Sequence, residues 1–221
     1  MTAAVSVPDG RTLRGGVVRL DLLVEDDAAG LLRCFTDPAA YACGYTMHAP
    51  PSDLAETRAL LRRRFLVGQG LADGRGGGRT AYAVRLAADS ELGPSGTLVG
   101  TSSLLEADLG NESVHLGSTF YGPRWWGTAV NPDAKLLLLA HAFDGCGFGR
   151  LKIQTDALNT RSQDAIARLG AVREGVLRRH TRREDGTFRD TVVFSVLRAE
   201  WPSVRAGLED RLRSAGGPAR S

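Results

Sequence analysis

Residues 122–143, GPRWWGTAVNPDAKLLLLAHAF, set a short loop of small residues directly ahead of a strongly apolar helix. The first amides of a helix lack internal partners and carry the positive end of its dipole, so a glycine at this junction lets an anion approach the backbone. Gly127 is that glycine, with Arg124 before it and Ala129 after it. A plain strand-to-helix turn would use the same glycine. Asn131 followed by Pro132 reads as an N-cap and first helical residue, whereas an anion site wants free amides from Gly127 onward; a proline in the first turn tolerates both. A second glycine-rich stretch, GQGLADGRGGGR, lacks the Gly-Lys-Ser/Thr ending of a nucleotide loop and is expected to be a surface loop.

Other chemistry-bearing residues read more plainly. Cys34, Cys43 and Cys146 show no Cys-x-x-Cys spacing and cannot all pair, so they are expected as reduced core thiols, with no metal site. His141 lies on the apolar helix and reads as a core histidine. His180 lies within RRHTRR (178–183), read as a solvated strand edge; that cluster is also the one feature that could draw an acidic substrate or RNA.

These residues must be positioned by a chain of 221 residues, 43% hydrophobic and 24% charged, which suits one domain with a sizeable core. The net charge of +3 is too weak to imply nucleic-acid binding. Lys135 and Lys152 are the only lysines among many arginines, a bias associated with a high-GC bacterial source. The N-terminal stretch lacks the apolar segment of a signal peptide, and no apolar run approaches the ~20 residues of a membrane span, so a cytoplasmic location is expected.

Alternation predicts strands over 17–23, 80–86, 97–105, 113–121 and 151–156, those from 80 to 121 being antiparallel. Helices are expected over 25–35, 54–66, about 132–144 and 160–169. Asp53 and Glu56 form a capping-box variant before the second, and Gly170 stops the fourth. Asp185-Gly186 marks a hairpin between 175–183 and 188–197, followed by a polar C-terminal helix and tail.

Arg-Trp-Trp-Gly-Thr-Ala (124–129) matches the Arg/Gln-x-x-Gly-x-Gly/Ala motif of the GNAT (Gcn5-related N-acetyltransferase) superfamily. Together with NPDAKLLLLAHAF, TDALNTRSQDAIARLGAVREGVLRRH and DGTFRDTVVFSVLRAEWP, the chain resembles the RimJ/RimL-type branch over nearly all of residues 14–202, leaving 203–221 as helix and tail. The resemblance implies an α/β (α+β) fold with a mixed, strongly bent sheet whose fourth and fifth strands, here 113–121 and 151–156, splay apart around the pantetheine arm of acetyl-CoA. It implies an acetyltransferase acting on a primary amine, either a protein or peptide N-terminus or a small molecule, by direct attack in a ternary complex. A longer acyl-CoA and a non-catalytic acyl-CoA-binding module are the alternatives. The branch leaves a homodimer open.

By the same resemblance, the amides of Trp126, Gly127, Thr128 and Ala129 would hold the pyrophosphate, Asn159 would contact the pantetheine arm, and Arg124 and Arg161 would lie near the phosphates. Trp125 and Trp126 suit either cofactor or core packing. The family's Glu-Ile-Gly triplet is here His115-Leu116-Gly117, which offers His115 either as base or as a plain hydrogen-bonding residue at the sheet surface, with Glu112 or Glu106 as substitute carboxylates. The usual Tyr position holds Ile166, and Ser162, one turn earlier on the same helical face, is its substitute at the leaving thiolate. Tyr45, Met47 and His48 are expected to line the acceptor pocket.

Overall fold

Alternating small and bulky residues in TAYAVRL and LVGTSSLL need cover on both faces, and the chain supplies it with helices on either side of one sheet. The computed structural model describes residues 4–42, 49–70 and 75–215. The strands are β1 Leu13–Arg14, β2 Val18–Leu22, β3 Arg79–Leu86, β4 Leu98–Asp108, β5 Ser113–Tyr121, β6 Arg150–Asp156, β7 Val172–Arg182 and β8 Phe188–Leu197. They form an 8-stranded sheet in the order β1-β2-β3-β4-β5-β6-β8-β7. Neighbours are antiparallel except β5 and β6, which run parallel.

The helices are α1 Ala28–Phe35, α2 Leu54–Leu60, α3 Val130–Ala140, α4 Thr160–Leu169 and α5 Trp201–Ala215. On one face α1 and α2 bury Leu31, Phe35 and Leu61 against Ala81, Ala83 and Leu98. On the other, α3, α4 and α5 close over Tyr82, Val84, Leu104, Val114 and Leu116. Cys34 and Cys146 are buried and free, and burial pushes both thiols up to about 11, as expected of core cysteines. Cys43 lies outside the described residues.

Several boundaries differ from the sequence reading. The helix expected from 132 starts at Val130 with Ala129 as N-cap, so Asn131 does not cap it. First-turn amides need no acceptor four residues back, so Pro132 sits inside the turn at no cost. Both α2 and α3 end in a wide π turn, Leu61–Phe65 and His141–Gly145. Asp53 caps α2 through Glu56 N at 2.8 Å, but the Glu56 carboxylate accepts from Ser52 N rather than Asp53 N. The boundary drawn after 202 falls inside α5, whose Trp201, Val204 and Leu208 belong to the main core. β7 is one of the two edge strands and largely exposed, with His180 on it.

Two features set the site. Register pairs between β5 and β6 run from Ser113↔Arg150 to Leu116↔Ile153 and then stop, although both strands continue. The cause lies in β5: Ser118 has φ 48°, and the β4–β5 register slips between Thr101 and Ser103, a bulge that bends β5 away. The second feature anchors α3. Asp133 is buried, and its Oδ2 accepts from Val17 N at 2.7 Å and Val18 N at 2.8 Å, tying the start of the helix to the β1–β2 turn. A Cβ at Gly15 would overlap the same oxygen, so glycine is required there.

Removing that carboxylate strands two amides away from water. Asp133→Ala is therefore expected to lower stability by about 2–4 kcal/mol, and Asp133→Asn, which keeps one acceptor oxygen, by less. Urea titration checks it; a loss of Asp133→Ala under about 0.5 kcal/mol would remove the anchor.

Candidate active site

Where β5 and β6 part, a cavity of about 580 Å³ opens. It is walled by β5 from His115 to Tyr121, β6 from Ile153 to Asp156, the 125–128 loop, α4, and Phe65 with Arg64 from beneath α2. One end is the junction of β5 and α3. Gly127 has φ +74°, a region that favours glycine, and nothing stands within 4 Å of where its Cβ would be. Among the described residues no protein group accepts from the amides of Gly127, Thr128 or Ala129. The Trp126 amide is different: it donates to Pro123 O at 3.1 Å, so it is not free for an anion. Ala129 is the cap residue and Arg124 is exposed; neither lines the cavity.

The opposite lip comes from α4. Asn159 caps it, its Oδ1 accepting from Ser162 N at 3.0 Å, which leaves the Asn159 amide nitrogen as the group available to the cavity. Arg161 lies 3.3 Å over the Trp126 ring, whose Nε1 donates to Tyr121 O at 2.9 Å, so a stacked pair spans the mouth. Trp125 serves packing, with Nε1 on Leu92 O at 3.1 Å and its ring against both cores. Ser162 and Ile166 line the cavity together, as their shared helical face predicts.

At the apex stands His115. Gly117 lies across from Ser103 and Ser103 across from Ala81, which packs under α1 and α2, so His115 faces that side of the sheet. A Cβ at Gly117 would meet His115 Nε2 at 2.8 Å; the glycine makes room for the ring. His115 is 4% exposed, and neither ring nitrogen has a hydrogen-bond partner among the described residues. Its Nδ1 is 3.3 Å from Glu106 Oε2, within ion-pair reach but off-line for a hydrogen bond.

Burial drives the His115 pKa down, against the pull of Glu106, so the ring is neutral at pH 7. Glu106 is held down at about 2, first by the neighbouring His115 and then by Lys152, whose Nζ is 2.7 Å from Oε2. The carboxylate favours the proton on Nδ1, which leaves the Nε2 lone pair unshared beside Gly117.

Glu112, the other expected carboxylate, is not in the cavity wall. It sits in the turn before β5, its carbonyl accepting from Gly149 N and Arg150 N and its Oε2 2.8 Å from where a Gly149 Cβ would be. Glu106 reaches the site because a left-handed residue, φ 55°, breaks the β4 alternation there. Tyr45, Met47 and His48 lie outside the described residues. His141 is buried on the α3 side as expected. Among the described residues no group of three or more His, Cys, Asp or Glu could hold a metal ion.

Several cavity residues escaped the sequence reading, and two of them carry partly or fully buried basic groups. Arg189 of β8 is one. The other is Lys135, buried on α3, whose Nζ donates to Thr119 Oγ1 at 3.0 Å; Thr119 in turn shares a 2.7 Å hydrogen bond with Ser102. A lysine inside an apolar helical run, seven residues after Thr128 and on its face, was the available signal. Among the described residues Lys135 has no carboxylate partner, and burial lowers its pKa from 10.5 to about 7.

A depressed lysine pKa costs stability. Between pH 7 and 10.5 the unfolded chain holds a proton that the folded chain sheds, so stability rises with pH across that window. Lys135→Met is expected to abolish that rise and to stabilise the protein at pH 6 by about 1–4 kcal/mol. Denaturant titrations at pH 6 and 9 check it; matching pH slopes in both proteins would contradict the burial.

The comparisons agree with this geometry. A family model described as the acetyltransferase (GNAT) domain matches residues 18–172. A structure from T. thermophilus assigned to an acetyltransferase is 36% identical, covering 94% of this chain and 98% of that chain with a TM-score of 0.75. A GCN5-related N-acetyltransferase from Brucella melitensis is 24% identical, covering 98% and 91%, TM-score 0.84. Mycobacterium smegmatis RimJ in complex with CoA-disulfide is 20% identical, covering 92% and 95%, TM-score 0.71. No curated protein sequence matches the chain. With the family matched over most of its length and the cleft built between two splayed parallel strands, the chain belongs to the GNAT acetyltransferases.

Proposed function

We propose that the protein transfers an acetyl group from acetyl-CoA to a primary amine by direct attack in a ternary complex, the acceptor being of the kind the RimJ/RimL branch uses, a protein or peptide N-terminus or a small amine. The observation that carries this is the sharing of one cavity by the free amides beside Gly127 and the neutral, unbonded His115. The residues present fit the coenzyme: an anion site with open space before Gly127, two strand edges that have lost each other as partners, and the cations Lys135 and Arg161 in the wall. When bound, acetyl-CoA supplies an acyl group activated as a thioester.

The chain supplies the rest. Amides of Gly127, Thr128 and Ala129, with Lys135 and Arg161, balance diphosphate charge. The Asn159 amide nitrogen and the free edges of β5 and β6 hold the pantetheine arm extended. His115 Nε2 takes a proton from the attacking amine, with Glu106 steadying the imidazolium that forms. Ser162 offers its hydroxyl to charge on the departing sulfur, a contribution of about 1–3 kcal/mol. A binding-only module would leave a buried, unbonded histidine at the apex with no use, at a cost to stability.

Gly127→Val puts a β-branched side chain at φ +74° and fills the approach to the amides. Acetyl-CoA affinity is expected to fall tenfold or more by calorimetry, and equal affinities would remove the diphosphate assignment. His115→Ala is expected to lower turnover by roughly 10²-fold with acetyl-CoA affinity retained. Because burial lowers the His115 pKa, the wild-type acid limb of kcat/KM against pH is expected below the ordinary 6.5. A limb above 6.5, or unchanged turnover in the variant, would give the proton to another group.

A further inference from the structure

The acceptor side of the cavity carries a positive charge that this chemistry leaves unused. Asp156 of β6 and Thr191 of β8 are register partners, and Arg189 lies two residues from Thr191 on the same face of the sheet. Lys152, across from His115, and Gln154 share that face with Asp156, so Arg189 and the histidine look into the cavity from one side. Asp156 is buried and committed: its Oδ1 accepts from Leu158 N at 2.9 Å, and its Oδ2 pairs with Arg183. Arg64, nearby in the cavity wall, pairs with Glu184 at 3.0 Å.

Arg189 has no such partner. Among the described residues its side chain makes no hydrogen bond and no ion pair, and its Nε is sealed from water with no acceptor. The Arg183 Nε is likewise buried and unpartnered. Arg183 already holds the Asp156 carboxylate, and a partly desolvated guanidinium whose buried Nε has no acceptor is costly. Burial pulls the Arg189 pKa down in spite of the Asp156 field. A guanidinium fork fits a carboxylate bidentately, which makes an incoming carboxylate the natural completion.

Distance along the strands narrows the class. Four residues of β6 separate Lys152 from Asp156, about 13 Å at roughly 3.3 Å each, and Arg189 stands beyond Thr191. Even with the arginine reaching back, its carboxylate lies too far from His115 to belong to the amino acid whose α-amine reacts. Two or three extended peptide residues span that gap.

We propose that Arg189 binds an acidic side chain at the second or third residue of a peptide acceptor whose N-terminal amine is presented to His115. This rests on the acetyltransferase reading and gives it an acceptor class. The walls contributed by Phe65 and Phe120 suit the peptide's apolar parts.

The test uses the full chain and C-terminally amidated tetrapeptides, alanine throughout except for Asp or Asn at position two or three. N-acetylated copies of the same peptides are titrated calorimetrically into the coenzyme A complex, and free peptides are assayed by thiol release from acetyl-CoA. An Asp peptide is expected to bind and to react at least tenfold better than its Asn twin. Arg189→Gln is expected to cut that ratio below about threefold with coenzyme A affinity unchanged, and Arg189→Lys, which keeps the charge without the fork, to fall between. Equal binding of Asp and Asn twins to wild type, or a preference that survives Arg189→Gln, would overturn the proposal. An Arg189-dependent preference for free alanine over alaninamide, with no discrimination among the peptides, would overturn the peptide assignment. Absence of thiol release from every acceptor would instead count against the acetyltransferase reading, since binding of the acetylated peptides is read separately.

Discussion

The loss of pairing between β5 and β6 after Leu116 and Ile153 is the constraint on which the molecule depends. Parallel strands that stayed paired to their ends would leave no room between them. The left-handed Ser118 bends β5 away, and the bulge is held from behind by Thr119, which bonds Ser102 and accepts from Lys135. The buried lysine thus braces the distortion that makes the cleft. The helix that carries it is fixed in turn by Asp133 on the β1–β2 turn, so a hairpin at the far edge of the sheet positions the amides at Gly127.

Electrostatics follow from that opening. The cleft exposes interior positions, and two of them, Lys135 and Arg189, carry basic groups with no ion-pair partner among the described residues, each with its pKa lowered by burial. Each costs folding free energy in the unliganded chain. On the proposed function, anionic ligands on both sides would recover the cost, a diphosphate near the start of α3 and a carboxylate beside β8. The neutral His115 lies between them, where proton transfer requires a base that is unprotonated at neutral pH.

Much of the frame was legible because it is local. Gly170 ends α4 as its cap chemistry requires, at φ 96°, and Asp185-Gly186 turns the β7–β8 hairpin. The splay of the strands at 113–121 and 151–156 followed from the family motif around Gly127. What escaped depends on neighbours distant in sequence. Glu106 rather than Glu112 reaches His115 because a left-handed residue interrupts β4, which alternation cannot foresee. Asn131 looked like a cap because Pro132 follows it, but proline is equally at home deeper in a first turn. Lys135 and Arg189 looked like ordinary basic residues until the fold showed what each lacks. The polar reading of the C-terminal helix missed the stripe of Trp201, Val204 and Leu208, which closes the core beneath α3.

The claim that an extended acyl-CoA lies between the parted strands, with its diphosphate on the α3 amides, is tested most directly by amide hydrogen exchange with and without acetyl-CoA. Slowed exchange is expected at residues 117–119 of β5 and at Gly127, Thr128 and Ala129, with little change at Trp126, whose amide is already bonded to Pro123. Unchanged exchange at those amides under saturating coenzyme, with protection appearing elsewhere, would contradict the cleft as the coenzyme site.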